Sequence, residues 1–262
     1  MYEQLIVVKV GTNVMKNKNN KIVIPILRNL VSQISELYEE NIMTILVSSG
    51  SSIAGKEMLG KSKIKDKSIR RQVYSSIGQP RMMLMYHNLF KEYGINCAQV
   101  LPTKRDFQPG VHRDNMVNCY NGLLEEEVIP IANEDDAVSV TNSMFSDNDE
   151  MASLIAKLMK ADKLIILTDI DGVYSGHPDD ESSELIEEVE HDQDMQEYIQ
   201  ENKKGEGEGR GGMQSKINMA QRSAKNNIET YIANGTKENI ILDIVRGKDF
   251  IGTKIIKKNN LD

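Results

Sequence analysis

The sequence predicts an α/β protein, a three-layer αβα sandwich around a mostly parallel central sheet. Two observations carry that prediction. Strand-like runs recur at intervals that leave room for a helix between them, and most are continuous β-branched and leucine runs. Such runs suit strands buried on both faces of a parallel sheet, whereas half-exposed strands alternate. The intervening segments carry apolar residues at helical spacing, which completes the rhythm of an open sheet covered on both faces.

In chain order, strands are expected over residues 5–10 and 42–47. Between them, residues 25–40 place Ile26, Leu30, Ile34 and Leu37 on one stripe, an amphipathic helix. Residues 69–93 read as a longer helix that Pro80 kinks or divides. Further strands are expected over 95–101, 128–132, 164–168 and 230–233, with helices over 149–161 and 214–227 and a short one over 240–246. Residues 177–212 break the rhythm. They are acidic, only weakly periodic at Leu185, Ile186 and Val189, and glycine-rich toward the end. That stretch reads as short exposed elements followed by a mobile loop over 205–212.

At roughly 150 residues per domain, 262 residues suggest one large domain or two lobes. A single domain over 1–262 is expected, divided at about residue 160. Apolar residues at 39% and charged residues at 27% argue against wholesale disorder. With 32 basic against 39 acidic side chains the formal charge is −7, which argues against nucleic acid or an anionic membrane as partner. No apolar run approaches the roughly 20 residues of a membrane span, and the first residues lack a basic leader. Two cysteines, Cys97 and Cys119, make neither a disulfide framework nor a cysteine zinc site. A reducing compartment, the cytoplasm, is expected.

Several motif matches fail on context. Gly207-x-Gly209-x-x-Gly212 has the dinucleotide spacing but follows a polar segment, not a strand. His112-Arg113-Asp114 imitates a protein-kinase catalytic loop without the Asn or the Asp-Phe-Gly that should follow. No P-loop and no nucleophile elbow occur, and His87, His112, His177 and His191 are scattered without metal spacing. Seven basic residues over 56–71 read as a solvated helix entry rather than an anion site.

What survives is a set of polar strand ends, and in open α/β sheets ligands bind beyond the carboxyl ends of the strands. Lys9 interrupts an apolar strand and costs desolvation unless it meets a negative group; the alternative is an edge strand that lets it reach water. Gly11 follows, permitting close backbone approach to a ligand. Ser48-Ser49-Gly50-Ser51 is a small-residue turn into a helix, which suits an anion and equally an ordinary cap. Asn133-Glu134-Asp135-Asp136 and Asp147-Asn148-Asp149-Glu150 are clusters fit to orient an amine, to hold magnesium through water, or to fix lysines. Capping accounts for Asp147 or Asn148 but not for both clusters. Thr168-Asp169 ends another strand, and Gly211-Gly212-Met213 precedes a helix carrying Lys216 on its first turn. Two lysines, a glycine turn and paired carboxylates without a P-loop point to phosphoryl transfer by positioning and charge neutralisation.

Val8-Lys9-Val10-Gly11-Thr12, Ser48-Ser49-Gly50, Ser76-Ile77-Gly78-Gln79-Pro80, Asn133 to Val138, Asp147-Asn148-Asp149, Leu167-Thr168-Asp169 and Gly211-Gly212-Met213-x-x-Lys216 stand in the order and spacing of the amino acid kinase superfamily. Within it the chain most resembles the glutamate 5-kinases, and the match spans nearly its whole length. The resemblance implies ATP-dependent phosphorylation of the L-glutamate side-chain carboxylate, the first step of proline synthesis, with Mg²⁺ carried by ATP. It implies that Lys9 and Lys216 neutralise the phosphates, with Asp149 holding both. Gly11 and Gly50 would offer backbone donors near the transferring group. Ser49, Gly50, Asn133, Asp136, Asp147 and Asn148 would line the amino-acid pocket in the N-terminal lobe. Lys9, Gly11, Thr168, Asp169, Gly211, Gly212, Met213 and Lys216 would hold ATP, mostly from the C-terminal lobe.

The resemblance also implies a homodimer or homotetramer and, because an acyl phosphate hydrolyses readily, a glutamyl phosphate reductase downstream. Many members add an RNA-modification-type domain after the kinase, for which a chain ending at Asp262 leaves no room. Asp135, Ser146, Glu150, Arg210 and Ser51 depart from the family pattern, and the departures bear on substrate identity more than on reaction class. A kinase of another small carboxylate and a non-catalytic amino-acid sensor are the competing readings.

Overall fold

The computed structural model describes residues 2–138, 145–195 and 212–257. β1 (Gln4–Val10) is buried from Leu5 onward and passes through Gly11 into the single turn α1 (Thr12–Met15). α2 (Ile24–Glu39) buries Leu27, Leu30, Val31, Ile34 and Leu37, then β2 (Ile42–Ser48) returns to the sheet. α3 (Ser51–Leu59) and α4 (Lys67–Lys91) follow, then β3 (Cys97–Val100), a 3-10 turn over Lys104–Phe107, α5 (Val111–Glu125) and β4 (Ile129–Ala132). The rest comprises α6 (Asn148–Leu158), β5 (Lys163–Thr168), the small pair β6 (Val173–Tyr174) and β7 (Leu185–Ile186), β8 (Glu188–Glu190), α7 (Met213–Ala224), β9 (Glu229–Asn234), α8 (Ile240–Val245) and β10 (Gly252–Ile256).

Eight strands form one sheet in the order β3-β4-β2-β1-β5-β9-β10-β8. Every pair is parallel except β9 with β10. α6 and α7 pack together over β1, β5 and β9, while α2 packs with α4 and α8 on the other side, which makes the sandwich. The core lies where these layers meet β1, β2 and β5, whose Val, Ile and Leu side chains are almost wholly enclosed. Each such side chain contributes about 1.5–3 kcal/mol of burial energy. No described helix is long and apolar enough to cross a membrane.

The register sets the ends of the central strands level. Lys9 stands opposite Val47 on β2 and Ile166 on β5, and Val47 stands opposite Ala132 on β4. Ser49, Asn133 and Thr168 therefore emerge together just beyond Lys9. β1 lies between β2 and β5, so the edge-strand alternative for Lys9 does not hold.

Other expectations need correction. α4 is not divided at Pro80: it runs on to Lys91 with Pro80 exposed, where the carbonyl that its ring displaces can be hydrated. The helix expected after the Ser48–Ser51 turn is α3, whereas α5 and β10 were not anticipated. α3 is interrupted in sequence by Gly55, α5 keeps only Met116, Tyr120 and Leu124 buried, and β10 is a short antiparallel return. In the acidic segment β7 and β8 are the short elements expected, and residues 196–211, including most of the glycine loop and Gly211, lie outside the described residues.

Candidate active site

Lys9 reaches from the middle of the sheet toward α6. Its Nζ lies 2.7 Å from Asp149 Oδ1, and Lys216 Nζ, from the first turn of α7, lies 3.0 Å from Asp149 Oδ2. Asp149 is 0% exposed and Lys9 4%. One carboxylate thus joins two ammonium groups at the C-terminal end of the sheet. Burial is the largest influence on both partners in the shorter pair. It drives the Lys9 ammonium below the ordinary lysine value, because the attraction of Asp149 does not fully offset the loss of water and the repulsion of Lys216. Burial alone would raise the Asp149 carboxyl, but the two lysines outweigh it and hold it below the ordinary aspartate value. Asp149 is therefore ionised, and it holds the two lysine nitrogens together where an anion can meet them.

The first turns of α6 and α7 are laced together at a second point. Asp147 caps α6, its Oδ1 accepting from the Asp149 and Glu150 amides at 2.9 Å each, while Ser215 Oγ donates to its Oδ2. Both oxygens of Asp147 thus accept within the protein, one capping α6 and the other bracing it to α7. Gly212 is the N-cap of α7, with Met213 its first residue.

Ser49 Oγ accepts from Asn148 Nδ2 at 2.8 Å, and the same amide donates to Asn133 Oδ1 at 2.9 Å. Asn133 Nδ2 in turn donates to Gln79 Oε1 at 2.9 Å and to Ser51 Oγ at 3.3 Å. This chain of amides and hydroxyls joins β2, β4, α4 and α6 around one wall. Gly50 holds φ +102° as N-cap of α3, a left-handed conformation that favours glycine. A Cβ there would also approach the Met15 side chain at 3.1 Å.

Asp136 lies on the same loop as Asn133 and pairs with Arg71 of α4, Oδ1 to Nη2 at 2.9 Å. The two extra acids have local duties. Glu150 accepts from the Ser146 amide at 2.7 Å and pairs with Lys104 at 2.7 Å, which together hold its carboxyl below the ordinary value despite partial burial. Asp135 accepts from the Ala137 amide within its own turn at 3.1 Å.

Thr168 ends β5, its carbonyl accepting from the Gly235 amide at 2.9 Å, with its hydroxyl 3.3 Å from the Asp169 carboxylate. Gly11, N-cap of α1, sits against the cluster: a Cβ on it would lie 3.4 Å from Lys9 Nζ. Lys9, Asp149, Lys216, Gly11, Ser49, Asn133, Asp147 and Asn148 thus gather at the strand ends, with Asp136, Thr168 and Asp169 on the flanking loops. Sequence reasoning gave no role to Arg71, Gln79, Lys104 or Ser215. Gln79 stood in a quoted motif, Arg71 lay hidden in a run of surface bases, and Lys104 and Ser215 left no signal.

Among the described residues no group of three or more His, Cys, Asp or Glu side chains is placed to hold a metal, and Asp149 faces two cations.

A family model described as the amino acid kinase family matches residues 4–234. The chain is 42% identical over 244 residues to a glutamate 5-kinase of Bacteroides thetaiotaomicron, covering 93% of this chain and 67% of that protein. It is 40% identical over 252 residues to a glutamate 5-kinase of Chlorobaculum tepidum, covering 96% and 68%. A glutamate 5-kinase of Alkaliphilus metalliredigens is 37% identical over 245 residues, covering 93% and 92%. Among solved structures, carbamate kinase from Giardia lamblia bound to AMP-PNP superposes with a TM-score of 0.68 at 17% identity, covering 97% of this chain and 99% of that one. UMP kinase from Ureaplasma parvum gives 0.67 at 17% identity over 98% and 100%. At such identities the structural likeness is one of fold.

Proposed function

The chain belongs to the amino acid kinase family, and from that premise we propose that it transfers the γ-phosphoryl group of ATP to the side-chain carboxylate of L-glutamate. The observation that carries the reading is the Lys9–Asp149–Lys216 cluster, two cations held by one enclosed carboxylate where the central strands end. In phosphoryl transfer the charge spreads over the equatorial oxygens, so the protein's work is positioning and electrostatic stabilisation. Lys9 and Lys216 supply the positive charge, and Asp149 fixes their separation so that little reorganisation is needed during reaction.

The acceptor requires no base. A glutamate side chain ionises near pH 4.3 and is already a carboxylate at neutral pH. Its oxygen forms the new bond to phosphorus as the bond to the ADP oxygen breaks, and no proton moves. Asp149, paired with two ammonium groups, is a brace and not a base. The wall of Ser49, Asn133 and Asn148 with Asp136 nearby suits the amino acid on the N-terminal side. Thr168, Asp169, Gly212 and Met213 suit the nucleotide on the C-terminal side, together with Gly211, which precedes them in sequence. The described residues offer no carboxylate cage for Mg²⁺, so the ion would arrive on the nucleotide's own phosphates, adding positive charge there. The acyl phosphate product calls for a reductase that consumes it promptly. A cytoplasmic homodimer or homotetramer completes the reading.

The test is ADP release from Mg-ATP with glutamate, aspartate, acetylglutamate and carbamate in turn, with hydroxylamine present to trap the product. Glutamate-dependent ADP with matching hydroxamate supports the proposal. Release with a different acid keeps the reaction class and replaces the substrate. No release with any acid, from folded protein that binds ATP, favours an amino-acid sensor.

A further inference from the structure

The hydrogen bonds of the amide wall all run in one sense, and the chain of them starts outside the wall. Gln99, on the edge strand β3, accepts from Gln79 Nε2 of α4 at 3.1 Å. Gln79 Oε1 accepts from Asn133 Nδ2, and Asn133 Oδ1 accepts from Asn148 Nδ2, each at 2.9 Å. Asn148 spends its second amide proton on Ser49 Oγ at 2.8 Å. Asn133 is 4% exposed and cannot turn over alone. Its oxygen would then face the Gln79 oxygen, and its NH₂ would face that of Asn148, two lost bonds in a site closed to water. The hydroxyls of Ser49 and Ser51 can donate or accept, so they follow the sense of the chain and do not set it.

We propose that Gln79 is a positioning residue: by accepting from Asn133 it fixes the sense of the whole relay, and through Asn148 it decides what Ser49 offers the acceptor. In the sense observed Ser49 accepts from Asn148, so its own proton points out of the relay, where a carboxylate oxygen can take it. With every amide reversed the chain would close equally well. Ser49 would then donate to Asn148 and turn lone pairs toward the acceptor, which repel a carboxylate. This rests on the reading that the phosphoryl acceptor is a carboxylic acid.

Two charged replacements separate the senses. Gln79→Glu can only accept from Asn133 and keeps the observed sense, while the exposed Gln99 can turn its amide to donate. Gln79→Lys can only donate and enforces the reverse. Charge alone predicts the opposite order, since a lysine attracts an anionic acceptor and a glutamate repels it. In steady-state kinetics Gln79→Lys is expected to raise the acceptor KM about tenfold, with Gln79→Glu within about threefold of wild type. The KM for ATP should move less than about twofold in both, which a general loosening of α4 would not respect. Thermal melts establish that both variants are folded. A Lys variant at or below the wild-type acceptor KM, or a Glu variant weakened as much as the Lys variant, overturns the proposal. Wild-type turnover with hydroxylamine trapping is measured first. If an acid other than glutamate is consumed, the glutamate reading falls and the two variants are judged on that acid; if none is consumed, both readings fall together.

Discussion

Gly55 and Gly78 meet where α3 crosses α4, so closely that neither has room for a side chain. A Cβ on Gly55 would lie 1.8 Å from the Tyr74 carbonyl oxygen, and one on Gly78 would lie 1.7 Å from that of Ser51. The contact is backbone against backbone, so no flexible side chain can yield. It also sets how near α4 comes to the site, since Arg71, Gln72 and Gln79 on that helix all grip the loop after β4.

Gly78→Ala is therefore expected to destabilise the protein by about 1–3 kcal/mol or more, as overpacking does when helices must separate. The acceptor KM should rise as well, because the whole polar edge of α4 retreats. Denaturant unfolding with substrate titration checks both. A stable variant with unchanged KM would show that the crossing does not set the loop.

Asp149→Asn leaves two ammonium groups around a neutral amide with no water to replace the lost charge. Breaking a buried ion pair in this way is expected to cost about 3–5 kcal/mol. The triple variant Lys9→Met, Asp149→Leu, Lys216→Met should recover most of that stability, since apolar residues of similar volume often replace buried ions without loss. It should show no turnover. Recovery of stability without activity would identify the cluster as retained for chemistry.

Lys216→Ala is expected to lower kcat by on the order of 10²–10³, the usual effect of deleting one preorganised charge donor. It should melt at a higher temperature than Asp149→Asn, because Lys9 still neutralises Asp149. Steady-state kinetics and a thermal melt separate the two effects, and a near-normal rate would take Lys216 out of the transfer step.

The acid limb of stability follows from Asp149 and Glu150, both held below their ordinary values of 3.8 and 4.5. Above those values both groups are ionised folded or unfolded, and their stabilisation is complete. As the pH falls below them the unfolded chain takes up protons first, so the stabilisation is lost progressively toward the folded-state values. The urea midpoint is expected to fall between about pH 5 and pH 3, with a shallower fall in Glu150→Gln. An identical slope in the variant would show that the Lys104 contact carries no pH-dependent stability.

Much of this was legible in the sequence because the central strands are buried on both faces and advertise themselves as unbroken apolar runs. Lys9 was conspicuous for the same reason: a cation in such a run needs a partner. Asp149 and Lys216 could be named from the resemblance, but the sharing of one carboxylate between two lysines is a tertiary fact. The start of α3 could be read from the Ser48–Ser51 turn but its extent could not, because Gly55 lowers helix propensity, whereas at this position its missing side chain is what lets the helix pack. α5 was missed because most of its surface is polar and only one residue per turn reaches the core. Arg71 could not be told from its basic neighbours, since a run of charge gives no sign of which member turns inward.

The strand order has a consequence for how the chain comes to be folded at all. β1 is made first yet sits in the middle of the sheet, and its two neighbours arrive far apart in time, β2 at residue 42 and β5 only at residue 163. During synthesis one flank of this largely apolar strand stays open for more than a hundred residues of elongation, an unpaired edge of the kind that seeds aggregation. Contacts of such long sequence separation also form slowly, because loop closure must precede them. The closing of that flank brings Lys9 level with the helix that bears Asp149, so the nascent chain encloses β1 and begins to assemble its charge cluster in one event.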